Sequence, residues 1–247
     1  MATTEEPTLD LDATLPRIFA VWWRNLPVFA GIAAICLFPS LVLGPLVQPG
    51  YPPGDDIEGI VGLLGLGFLA SMIELICTAF AVGAIVHAVL ADLRGESITF
   101  ATAASSGLRS TLPAAGVLIV HSLGVSLGCF LCCVPGLLLL TFWFTTVPVA
   151  VVERPGLIES FARSQRLVLG SLVQVFIVIA IVWLGIRLVG IGVVSGVVVF
   201  FGGQLAGMFV GWALGVFGTA LIAVAQAVVY HDLRGLEQPA AGAQEPA

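Results

Sequence analysis

A chain of 247 residues with 59% hydrophobic and 10% charged residues and a net charge of -6, at a mean hydropathy of +1.10, is too apolar for a soluble globular domain and reads as an integral membrane protein. The nine basic residues are all arginine and no lysine occurs, which argues against a nucleic-acid partner. The acidic ends, with Glu5, Glu6, Asp10 and Asp12 before the first apolar stretch and Glu237 and Glu245 after the last, read as solvated cytoplasmic tails at residues 1–14 and 236–247 around a membrane domain at 15–235.

Residues 1 to 15 are acidic and polar, unlike a cleavable signal, so the first apolar span is expected to stay as an anchor. Leu15 to Asn25 interleaves Arg17 and Arg24 with Trp22 and Trp23, a composition that suits a helix at the membrane interface. Leu26 to Val47 supplies 22 mostly apolar residues, enough to cross a core of about 30 Å at about 1.5 Å per residue, with kinks expected at Pro39 and Pro45. Gln48 to Gly59 is a proline, glycine and acid loop without a basic residue.

Ile60 to Ala91 is apolar for 32 residues apart from Glu74 and His87, so this second crossing either tilts or packs its first turns on the outer surface. A loop from Glu96 to Thr111 carries Arg109, and its Phe100 to Leu108 part is a candidate surface helix. Leu112 to Leu131 forms the third crossing and Pro135 to Val152 the fourth. Pro148 loosens the end of the fourth, Glu153 and Arg154 mark its exit to water, and Pro155-Gly156 turns the chain. A short amphipathic helix should follow, with Ile158, Phe161, Ala162 and Leu169 on one face and Glu159 paired to Arg163 four residues on.

Ser171 to Val229 runs for 59 residues with Arg187 as its only charge, a length that accommodates two long crossings or three short ones, the latter putting the carboxyl end outside. Dividing it near Phe201-Gly202-Gly203 gives six crossings and puts Arg17, Arg24, Arg94, Arg109, Arg154, Arg163, Arg166 and Arg234 on one side, leaving the opposite connections without a loop arginine. That asymmetry predicts cytoplasmic ends. The fold class expected is therefore all-α: a polytopic membrane protein with six transmembrane helices and amphipathic cytoplasmic surface helices. A surface helix followed by a crossing recurs at residues 15–47, 97–131 and 156–200, and Arg24-Asn25-Leu26-Pro27 is echoed by Arg109-Ser110-Thr111-Leu112-Pro113. The ends of the second and sixth crossings echo as well, as Asp92-Leu93-Arg94-Gly95 and Asp232-Leu233-Arg234-Gly235, which suggests three related helical pairs.

The run Val147-Pro148-Val149-Ala150-Val151-Val152-Glu153, then Gly156, then Ser160-Phe161-Ala162-Arg163-Ser164, then Leu167 and Gly170, closed by Tyr230-His231-Asp232-Leu233-Arg234, resembles the membrane-domain family of glycerophosphoryl diester phosphodiesterases and its stand-alone YciC-like relatives in the bacterial inner membrane. The chain differs in having Ser160 where the family usually has alanine ahead of the Arg-Ser pair. The resemblance covers nearly the whole chain and implies a six-helix bundle with cytoplasmic surface helices. Some members carry an appended catalytic domain; about fifteen residues follow the sixth crossing here, so hydrolysis is not expected.

Two charges fall inside crossings. Glu74 lies 17 residues from Ala91 and Arg187 lies 16 from Ser171, so both sit roughly 25 Å from the cytoplasmic face. They are expected either to pair within the bundle or to reach the outer headgroups separately. Gly203, Gly207, Gly211 and Gly215 recur every fourth residue, a stripe for close helix packing within the chain or, alternatively, against a second copy. His87, His121, Ser122 and Ser126 read as residues satisfied within the bundle, and the five cysteines as small buried hydrophobes rather than a metal or redox site. No nucleophilic triad, phosphate loop or metal cluster stands out, so no enzyme activity and no cofactor are expected. The first functional reading is a non-enzymatic component that organises membrane lipids or an unidentified membrane-protein partner through its arginines. The alternative is a small transporter or channel with its polar site at Glu74 and Arg187.

Overall fold

A computed structural model describes residues 8–47, 57–131, 133–201 and 203–242, and these form nine helices and no strand. In order they are α1 (Leu11–Arg24), α2 (Leu26–Val47), α3 (Ile57–Leu93), α4 (Phe100–Leu131), α5 (Cys133–Phe142), α6 (Thr146–Val152), α7 (Leu157–Leu169), α8 (Leu172–Phe201) and α9 (Gln204–Gly242). Six segments are long and apolar enough to cross a bilayer: α2, α3, α4, the α5–α6 pair taken together, α8 and α9. The expected division between fifth and sixth crossings falls where α8 ends and α9 begins. The chain is a multi-pass membrane protein.

The buried side chains concentrate at one end of the bundle. Ile85, Val86 and Val89 of α3, Val147, Val149 and Val151 of α6, and Val224, Val228 and Val229 of α9 are all closed to solvent, whereas Phe68, Phe130 and Val199 toward the other end are exposed. α6 is the centre of the packed end, its first six residues buried among α3, α4, α7 and α9. Small residues let α3 and α4 cross closely: a Cβ built on Gly107 would stand 2.7 Å from Ala84 Cβ, and one on Gly83 would stand 2.5 Å from Ser110 Oγ.

Several elements differ from the sequence expectation. The expected surface helix at Phe100 to Leu108 and the third crossing are one continuous helix, α4, of 32 residues. Between α1 and α2, Asn25 stops the helix, its amide donating to Val21 O. At the corresponding place in α4, Ser110 and Thr111 also donate to carbonyls of their own helix, those of Ser106 and Gly107, but the backbone there stays helical, whereas Asn25 has left the helical conformation at φ -106°, ψ 13°. The repeat of surface helix and crossing thus holds as separate elements for α1–α2 and α7–α8 only. The fourth crossing, conversely, is interrupted at residues 143–145. Pro148 lacks the N–H that Phe144 O would accept, and its ring crowds that carbonyl, so the break falls four residues upstream of the proline.

The tails are less free than expected. α1 begins at Leu11 behind an Asp10 cap, and Leu9 is buried with its N–H donating to Ser171 Oγ at 3.0 Å. α9 continues through Glu237 to Gly242. On α7 the buried face is Ser160, Phe161, Ser164, Leu167 and Val168, so Ile158 and Leu169 do not share it: both are exposed and Phe161 turns inward. Cys36 is buried, but Cys129 is exposed on α4; Cys132 and the Cys133 side chain lie outside the described residues.

Candidate functional site

The break before Pro148 exposes backbone groups that must find partners. Ser164 of α7 supplies one, its hydroxyl donating to Phe142 O at 2.8 Å. With that proton committed, the 2.9 Å contact between Thr145 Oγ1 and Ser164 Oγ is a hydrogen bond donated by Thr145. Pro148 and Ser164 are therefore halves of one joint.

Downstream, α6 ends in a tight reversal. The N–H groups of Glu153 and Arg154 both reach Val149 O, at 2.9 and 3.3 Å. Arg154 takes the left-handed conformation at φ 52°, and Gly156 follows at φ 110°, a backbone angle that penalises any side chain. The reversal lays α7 back along the bundle and places Glu153 opposite α9.

There Glu153 Oε1 accepts the Tyr230 hydroxyl at 2.7 Å, and Oε2 accepts Arg163 Nε at 3.3 Å. Arg163 uses its other nitrogens on Glu237, in a two-pronged pair at 2.8 and 2.5 Å, and Arg234 reaches the Tyr230 oxygen at 3.4 Å. The hydrogen bond to Glu237, more than any other influence, raises the Arg163 guanidinium above its ordinary range, making it a fixed cation. Paired forks of this kind hold geometry as well as charge. Asp232, two residues beyond Tyr230 on α9, accepts Thr14 Oγ1 at 2.8 Å and pairs with Arg17 of α1.

The residues of the central motif and of the Tyr230-Asp232-Arg234 motif therefore meet, and they lock α1, α6, α7 and α9 together. Glu159 does not pair with Arg163 as expected: it pairs with Arg166 on the exposed side of α7, because Arg163 faces α9. Thr14 gives its proton to Asp232 rather than to His231, so the three do not form the relay that an activated hydroxyl needs. Among the described residues no metal-binding group of histidines, cysteines and acids occurs.

The remaining sequence-derived residues lie apart from this end. Glu74 and Arg187 are both exposed, on α3 and α8, and no ion pair joins them among the described residues; Arg187 instead sits over the Trp183 ring, 4.9 Å from its centre. Within the glycine stripe, a Cβ on Gly207 would stand 2.5 Å from Val198 and one on Gly211 3.7 Å from Val194, so α8 of the same chain is the neighbour there. Gly203 precedes α9, and Gly215 has open space, beside a cavity of about 530 Å³ next to Arg187.

One feature of the arginine-bearing end had no signal beyond the charges themselves. Arg109 of α4 and Arg154 after α6 line a common groove of about 550 Å³ with Leu112, Pro113, Val117 and Leu157. The two are 45 residues apart in the chain, and only the α6 reversal brings them together. No family model, curated protein or solved structure matches the chain.

Proposed function

We propose that this protein is a non-enzymatic multi-pass protein of the bacterial cytoplasmic (inner) membrane, with both ends cytoplasmic, that organises lipids of the inner leaflet. In this reading it belongs to the membrane-domain family that its motifs resemble. The observation that carries it is the collection of arginines from α1, α3, α4, α6, α7 and α9 at one end of the bundle, cross-linked there by Arg17–Asp232, Arg24–Asp92 and Arg163–Glu153–Glu237. Arginine near an anionic leaflet contributes about 1 kcal/mol per residue. Exposed Trp23 and Phe19 on α1 and exposed Ile158 and Leu169 on α7 supply apolar side chains at the same end for insertion beside the headgroups.

The self-satisfied Glu153–Tyr230–Arg163–Glu237 network supports a structural rather than a catalytic role for the motif. The alternative of a transporter or channel at Glu74 and Arg187 has weaker support, since both side chains are exposed and stand apart. Close packing of Gly207 and Gly211 on α8 favours packing within the chain over a second copy.

Thermal unfolding in mild detergent tests the proposal. A ligand at about a hundred times its Kd stabilises by about 2.7 kcal/mol, so phosphatidylglycerol should raise the midpoint, phosphatidylcholine should not, and salt should shrink the difference. Equal shifts from the two lipids would contradict it.

A further inference from the structure

The arginines of the packed end divide into two groups. Arg17, Arg24, Arg94, Arg163 and Arg166 each meet a carboxylate, and Arg234 reaches Tyr230. Arg109 and Arg154 meet no carboxylate among the described residues, and these two share the groove between α4, α6 and α7. Arg154 holds its place in a left-handed conformation, at the position after a helix where glycine is the usual residue.

Apart from the arginines the groove is chiefly apolar, lined by Leu112, Pro113, Val117 and Leu157. Leu112, which lines it, is 84% exposed, which is the character of a lipid-facing flank rather than a water-facing one. Its volume falls within the usual span for small-molecule sites, about 300 to 1,000 Å³. Guanidinium forks match phosphate oxygens, and the start of α7 at Leu157 adds to the positive potential. An anion of purely aqueous character would gain nothing from the apolar wall.

From this juxtaposition we infer that the groove binds one anionic phospholipid, its phosphate held by Arg109 and Arg154 and an acyl chain laid against Leu112, Pro113, Val117 and Leu157. The inference rests on the lipid-organising reading and gives it a site. Arg163, paired with Glu153 and with Glu237 of α9, anchors the frame, and Arg109 and Arg154 select the ligand. The joint at Pro148 and the reversal at Gly156 then serve to bring Arg154 across to α4.

Native mass spectra of the full chain, released from nanodiscs of phosphatidylglycerol and phosphatidylcholine, test this. Wild type should retain one phosphatidylglycerol. Arg109→Gln and Arg154→Gln should each lower its retention roughly fivefold, and the double variant about thirtyfold, from about 1 kcal/mol per arginine. Both side chains are exposed and Arg154 gives up only one long hydrogen bond, from Nε to Val151 O at 3.3 Å, so the double variant should lose little of its thermal midpoint in lipid-free detergent. Gly116→Leu fills the groove with both arginines in place, since a Cβ there meets only Leu157, at 3.6 Å; it should also release the lipid. Phosphatidylglycerol retained equally by wild type, the double variant and Gly116→Leu would overturn this site while leaving the lipid-organising reading intact. Equal retention of both lipids by wild type would overturn both.

Discussion

Tyr230 is closed to solvent, and its hydroxyl is the donor that Glu153 Oε1 accepts. Tyr230→Phe removes that donor and leaves a carboxylate oxygen underbonded at the centre of the packed end, at a cost of about 1.5–3 kcal/mol for a hydrogen bond to a charged group. A lowered unfolding midpoint in detergent, with the chain still helical by circular dichroism, is the expected result. Ser164→Ala should cost about 1–3 kcal/mol, because Phe142 O and the Thr145 hydroxyl both lose their buried partner; a midpoint unchanged from wild type would mean that the joint is held some other way. Glu153, Arg163, Ser164 and Tyr230 were legible in the sequence, since all stood in its motifs, but Glu237 was not, since it reads as part of a solvated tail. The pairing was not legible either. The i to i+4 rule offered Glu159 to Arg163, and it had no means of seeing Glu237 arrive on α9 from 74 residues away. Arg109 and Arg154 were legible only as topology markers, because their shared groove depends on the turn at Gly156.

At the scale of the element, small residues decide which helices touch. Gly83→Ala puts a methyl 2.5 Å from Ser110 Oγ and should cost about 1–3 kcal/mol as overpacking. Ser110→Ala in the same chain removes that oxygen, leaving Ser110 Cβ at 3.3 Å as the nearest atom of that residue, so the double variant should recover most of the loss. Strictly additive costs in the four-variant cycle would show that α3 and α4 do not meet there. On α9, Gly207→Leu should destabilise through Val198 while Gly215→Leu, in open space, should not. The spacing of four predicted a uniform stripe, but within it only Gly207 and Gly211 meet α8, and the next close approach falls off the stripe, at Gly218, where a Cβ would stand 3.0 Å from Ile186. Helix existence followed from apolar length, and the count of six crossings from apolar length together with the placement of the arginines. The interruption at 143–145 and the continuity of α4 did not, because each depends on where a few backbone carbonyls find their donors.

For the whole molecule, the arginines carry both the topology and the function proposed for it. Their sequence distribution required an even number of crossings, and the structure gathers the connections that bear them at one end, with α1 and α9 joined there through Asp232. Everything proposed for the molecule therefore depends on which face of the membrane that end occupies. The most direct measurement is protease accessibility of small epitope tags placed at each end of the chain, compared between inverted and right-side-out vesicles of the bacterial inner membrane. Cleavage of both tags in inverted vesicles alone would place the arginines against the anionic inner leaflet, as the account requires. Cleavage of either tag from the outer face would contradict it.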